Sequence, residues 1–296
     1  MTEFIDVHVH PPVADFLEGP LAPYAPSLRA ADGSPLEVLT AEDLAEVYRS
    51  RNGRAVLLGW DTESVTHMAP LSSPKIADLV AAAPDVFLGF GAVDPTKGAR
   101  AVAQVHEAAR RGMLGVATHA AAQGIGPGDR FTYTVWESAA DHGLVCLFHT
   151  GSTSLGAGMP GGDGVRLEPG RPIHVDGVAA RFPELRIVIS HSGPMWRDEA
   201  LTIAMHKGNV WLDLRGNSPM ELDDRVLRLI RGPLAGRVLF GSDFPFGDID
   251  RLRVDWDRLN MPESVTRRFL HDNAAELLGL TPAAEEGSGF EAAPPS

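Results

Sequence analysis

Two histidines separated by one residue, His8 and His10, follow the apolar run Phe4-Ile5-Asp6-Val7. On a β-strand, residues i and i+2 point to the same side, so two imidazoles spaced this way can grip one ion. Taken alone, the pair fits equally well with two satisfied polar residues at a strand end. Three later apolar runs end in the same manner, in Phe148-His149-Thr150-Gly151, Ser190-His191-Ser192-Gly193 and Phe240-Gly241-Ser242-Asp243-Phe244-Pro245. An ionisable group at the end of a core strand is costly unless it is paired or ligated. Four such ends, supplying four histidines and an aspartate, are hard to explain as packing. Imidazole and carboxylate together suit Zn²⁺ first, with Mn²⁺ or Fe²⁺ as other candidates. A divalent ion of this kind lowers the pKa of a bound water from about 15.7 to about 7 and polarises a carbonyl. A histidine with an ordinary pKa near ~6.5 moves protons in the same range.

These residues need a scaffold that brings distant strand ends together. Apolar runs that read as strands cover residues 4–9, 54–60, 86–93, 114–118, 144–148, 186–190, 210–214 and 238–241. Several, such as Ala55-Val56-Leu57-Leu58 and Ile187-Val188-Ile189, are continuous, as in a parallel sheet covered on both faces. Amphipathic helical patterns follow each strand, at 41–51, 73–83, 98–111, 132–142, 173–182, 195–206, 221–231 and 263–278. Thr40 and Asp43 form a capping-box-like start for the first. Eightfold strand–helix alternation predicts an α/β fold, a single (β/α)8 TIM barrel over residues 1–280, with active-site groups at the C-terminal ends of its strands. Residues 281–296, rich in Pro, Ala, Glu and Gly, read as a disordered tail. Two long segments interrupt the alternation, 11–39 and 151–172. Both read as substrate-covering loops, with plain flexible insertions as the alternative.

Composition narrows the function classes. The formal net charge of −13 repels phosphate backbones and anionic lipid, which argues against nucleic-acid or membrane partners and leaves a small-molecule substrate. No apolar run approaches the ~20 residues needed to span a bilayer, and no signal peptide is legible. The lone Cys146 cannot form an intrachain disulfide and reads as a buried core thiol, in keeping with a cytoplasmic setting.

The motif Ile5-Asp6-Val7-His8-Val9-His10, the three later strand ends and the closing Asp272-Asn273-Ala274-Ala275-Glu276-Leu277-Leu278-Gly279-Leu280 together resemble the amidohydrolase superfamily, specifically the amidohydrolase 2 family that includes aminocarboxymuconate semialdehyde decarboxylase. The resemblance spans nearly the whole chain apart from the tail. It implies one divalent ion held by His8, His10, His149 and Asp243, with Asp243 also able to accept a proton from water. His191 is implied as general acid/base, its role as a ligand being the alternative. Hydrolysis of an amide, lactone or β-keto compound is the leading expectation for the reaction. Non-oxidative decarboxylation is the alternative, followed by condensation or cyclisation, or a non-catalytic metal-binding barrel. Homodimers are common among such relatives.

The chain departs from that family at the fourth strand, where relatives often carry Gly-x-Lys-x-His-Pro and this sequence reads Gly115-Val116-Ala117-Thr118-His119-Ala120. With Ala117 in place of lysine, a bridging carboxylated lysine cannot form there, and one ion is favoured over two. His119 and Gln123 are candidates to line the pocket, His119 alternatively serving to hold the strand-four loop. Arg215 could bind a substrate carboxylate in bidentate fashion or form a surface salt bridge to Asp213 or Asp223. Trp60 and Trp196 follow strand ends and could stack on a planar substrate, or simply pack at the barrel rim.

Overall fold

The computed structural model describes residues 2–190, 193–214 and 218–280. Eight strands, β1 (Phe4–Val9), β2 (Gly53–Leu58), β3 (Phe87–Ala92), β4 (Gly115–His119), β5 (Val145–His149), β6 (Ile187–Ser190), β7 (Val210–Asp213) and β8 (Val238–Leu239), form one sheet in sequence order. Every neighbouring pair is parallel. A parallel bridge between Val9 and Phe244 brings the last strand back to the first. The amides of Val7 and His10 donate to the carbonyls of Phe240 and Phe244, at 3.0 and 2.9 Å, and the Asp243 amide donates to the His8 carbonyl at 3.0 Å. The predicted (β/α)8 barrel is the observed fold.

Apolar side chains divide between two cores. Ile5, Val7, Val56, Leu58, Leu88, Phe90, Val145, Leu147, Val188 and Leu239 fill the barrel interior together with residues of the terminal helix Asn273–Leu278. Phe4, Val9, Leu57, Phe87, Val116, Phe148, Ile187 and Leu212 pack in the outer core against the helices. Each such side chain contributes roughly 1.5–3 kcal/mol by leaving water. β1 changes sides midway: Ile5 and Val7 point inward, yet Val9 belongs to the outer core. The register with β2 shifts between Asp6 and Val9. Strict alternation from Ile5 would have turned His8 and His10 outward, so this irregularity re-aims both imidazoles, as bulges near active sites commonly do.

Most expected elements recur within a residue or two at their ends, which is where assignments ordinarily drift. The Thr40–Asp43 capping box is present at the start of Ala41–Arg49. Four expectations need correction. β8 ends at Leu239 rather than at residue 241, because the Phe240 amide bonds the Phe269 carbonyl at 3.1 Å. The predicted helix 263–278 is interrupted by a π-helical turn, Arg268–Asp272, between Glu263–Arg267 and Asn273–Leu278. A helix that the sequence pattern does not predict, Ile249–Arg258, follows β8, capped by the Asp248 carboxylate on the Arg251 amide. The segment 11–39 is not a bare loop, since it contains the short helix Ala14–Leu17 and the 3-10 stretch Ala22–Ser27. Among the described residues no helix is long and apolar enough to cross a membrane. His191, Arg215 and the tail 281–296 lie outside the described residues.

Candidate metal centre

β1, β5 and the turn after β8 deliver His8, His10, His149 and Asp243 to one buried spot, each at most 5 % exposed. The Nε2 atoms of His8 and His10 are 3.1 Å apart. Asp243 Oδ1 lies 3.4 Å from His10 Nε2 and 3.7 Å from His8 Nε2. One ligand atom from each of His8, His10 and His149 falls within 4.8 Å of the others. Donors about 2.0–2.1 Å from one small cation stand ~3.0–3.4 Å apart at ordinary ligand angles, the spacing of the first pair. The donor chemistry therefore fits a divalent transition ion.

Asp243 is held in a left-handed backbone conformation, with φ 62°, which is uncommon for a residue with a side chain and is kept only where surroundings enforce it. The enforcement is visible. Its amide is fixed to the His8 carbonyl, and its carbonyl accepts from the amides of Phe246 at 2.7 Å and Gly247 at 3.0 Å. Just before it, Ser242 donates both its amide (2.9 Å) and its hydroxyl (2.5 Å) to the Asp6 carboxylate. Asp6 also accepts from the His8 amide at 3.1 Å and from Tyr48 Oη at 2.9 Å. Complete burial pushes the Asp6 carboxyl up to about 7, against the pull of those donors. Asp6 thus ties the strand that carries two histidines to the turn that carries the aspartate.

A second buried carboxylate stands behind His8. Its Nδ1 is 2.9 Å from Asp213 Oδ2 and 2.7 Å from Ser190 Oγ. Asp213, one of the two surface partners expected for Arg215 alongside Asp223, is not a surface group: it is 3 % exposed and faces inward from the end of β7, while Arg215 itself lies outside the described residues. Gly241 makes room for it, because a Cβ there would collide with the Asp213 carboxylate.

The wall on the other side is aromatic. The His119 ring stacks on His149 with centroids 3.7 Å apart and planes at 19°, and Trp60 lies against His119 at 4.8 Å and His10 at 5.4 Å. His119 Nδ1 accepts from the Ala122 amide at 3.2 Å, which puts the ring proton of the neutral form on Nε2. Gln123 borders the same recess, but its amide is committed to the framework. It accepts from the His119 amide and donates to the Asp61 and Val93 carbonyls, both at 2.8 Å. The recess, of about 10 Å³, has room for roughly one water. Phe16 stacks on His10 at 5.7 Å, so the segment 11–39 covers the centre. It meets the segment 151–172 where the Gly156 amide donates to Ser27 Oγ at 3.2 Å. Trp196 is half-buried in the first turn of Gly193–His206.

Known proteins place this architecture. Similar solved structures include an uncharacterized TIM-barrel protein from Bordetella bronchiseptica, 21% identical, covering 94% of this chain and 98% of that one with a TM-score of 0.75. The 5-carboxyvanillate decarboxylase LigW from Sphingomonas paucimobilis is 20% identical, covering 95% and 100% with a TM-score of 0.68. A dihydroxybenzoic acid decarboxylase from a Polaromonas species, with bound manganese and the inhibitor 2-nitroresorcinol, is 16% identical, covering 96% and 98% with a TM-score of 0.63. No curated protein matches the sequence. The family model described as amidohydrolase matches residues 5–280, which takes in seven strands whole, all but the first residue of β1, and all four clustered side chains: the chain belongs to the amidohydrolase family.

Proposed function

We propose that this chain is a metal-dependent, non-oxidative decarboxylase of a small planar carboxylic acid, an aromatic acid with a ring hydroxyl foremost. The observation that carries the reading is the juxtaposition of three imidazoles and a carboxylate with an aromatic wall made by Trp60, His119 and His149. The decarboxylases among its fold neighbours support it. His8, His10, His149 and Asp243 would hold one divalent ion, Zn²⁺ or Mn²⁺, which supplies positive charge to bind and orient the substrate's anionic oxygens. Trp60 and the His119 edge would flank the ring, and Arg215 would pair with a carboxylate. In the reaction the bond from ring carbon to carboxylate breaks, CO₂ leaves, and the ring carbon takes a proton. His191, the residue after β6, is assigned as the proton donor.

Hydrolysis, the leading expectation from the sequence, stands second. It rests on Asp243, whose carboxylate beside the imidazoles would take the proton from an attacking water. Incubating metal-loaded protein with 5-carboxyvanillate, dihydroxybenzoates, β-keto acids and lactones in ¹⁸O-water separates the two. Release of CO₂ with no solvent oxygen in the product is expected. Solvent oxygen in the product would move the assignment to hydrolysis. His191→Ala should slow CO₂ release by about 10²–10⁴-fold while metal content stays unchanged.

A further inference from the structure

The hydrogen bonds behind His8 determine where its ring proton sits. Ser190 Oγ lies 2.6 Å from Asp213 Oδ2, the same oxygen that stands 2.9 Å from His8 Nδ1. All three groups are fully buried or nearly so. A carboxylate has no proton to give, and a serine hydroxyl has one. With that proton on the shortest contact, from Ser190 to Asp213, the proton between His8 and the pair must reside on Nδ1. The neutral ring then keeps its lone pair on Nε2, the atom 3.1 Å from His10 Nε2. The support comes from the ends of β6 and β7, two strands that do not pair with β1, and the carboxylate reaches across the short β8 because residue 241 is a glycine.

We infer that Asp213 and Ser190 are positioning residues that lock His8 as the Nδ1-protonated tautomer and thereby set the affinity of the cluster for its ion. The inference rests on the metal-centre reading above. A carboxylate behind a ligating imidazole fixes the ring orientation and raises its basicity, and losing it commonly weakens metal binding about 10–100-fold.

The test uses full-length protein stripped with a chelator. Mn²⁺ and Co²⁺ affinities are measured by competition with a chromophoric chelator, alongside ¹H–¹⁵N spectra of histidine-labelled apo-protein in which His8 is assigned by its loss in His8→Gln. Asp213→Asn should bind either ion roughly 10–100-fold more weakly with the Nδ1–H tautomer retained, since the amide oxygen can still accept. Ser190→Ala should weaken binding by a smaller factor, and Asp213→Ala should both weaken binding and move the His8 proton towards Nε2. Wild-type affinity in Asp213→Asn and Ser190→Ala, or an Nε2–H tautomer of His8 in the wild type, would overturn the inference. Should Asp213→Ala fail to fold, the other two variants decide the matter. Failure of the metal reading looks different: wild-type protein would take up no stoichiometric ion, while the tautomer of His8 would still report on Asp213.

Discussion

At the scale of single residues, Gly241 is a sensitive position because the Asp213 side chain occupies the space a Cβ would need. A methyl group there meets the Asp213 carboxylate. Gly241→Ala is expected to destabilise the protein by about 1–3 kcal/mol through overpacking and to weaken ion binding, although no ligand has been removed. Chemical denaturation and metal titration check both effects. Tyr48→Phe strips one donor from the buried Asp6 and should cost about 1–3 kcal/mol in the same denaturation assay. Burial pushes the Cys146 thiol far up. An aromatic disulfide reagent at mildly alkaline pH should therefore leave Cys146 unlabelled in the native state and label it once denaturant is added. His8, His10, His149 and Asp243 were legible in the sequence because imidazoles and a carboxylate that close apolar runs are too costly to bury unless something binds them. Asp213 was not, for its partner lies 205 positions away and its neighbour Arg215 offers a local ion pair that reads just as well. Ser190 carries no local signal of its contact with His8, a residue 182 positions away.

At the scale of elements, β1 was legible residue for residue in extent but not in which way its side chains face. A bulge depends on how two strands register, and one strand's own pattern of polar and apolar residues does not contain it. The helix Ile249–Arg258 was hidden for another reason. Its sequence IDRLRVDWDR is crowded with charge, so its narrow apolar stripe of Ile249, Leu252 and Trp256 is hard to see before the packing is known. Trp256 stacks on Phe269 at 3.8 Å and donates to Thr266 Oγ1 at 3.1 Å. Trp256→Ala should cost roughly 3–5 kcal/mol in denaturant unfolding, a loss no surface helix would show. The eightfold alternation was plain because strands buried on both faces are written as unbroken apolar runs, and that pattern has few architectures to belong to.

At the scale of the whole molecule, a net charge of −13 opposes the approach of a carboxylate substrate, while the centre would attract it at short range. Added salt should therefore raise kcat/KM for an anionic acid at low ionic strength, as long-range repulsion is screened before the local attraction is lost. A falling rate from the first increment of salt would contradict this. The barrel's seam carries a further consequence. The peptide groups that join its last strand to its first, at Val7, His10 and Asp243, belong to or adjoin the residues that would take up the cation. Loading the ion would then act as a clasp on the ring of strands, and deuterium uptake at those three amides should slow more than at amides elsewhere in the sheet.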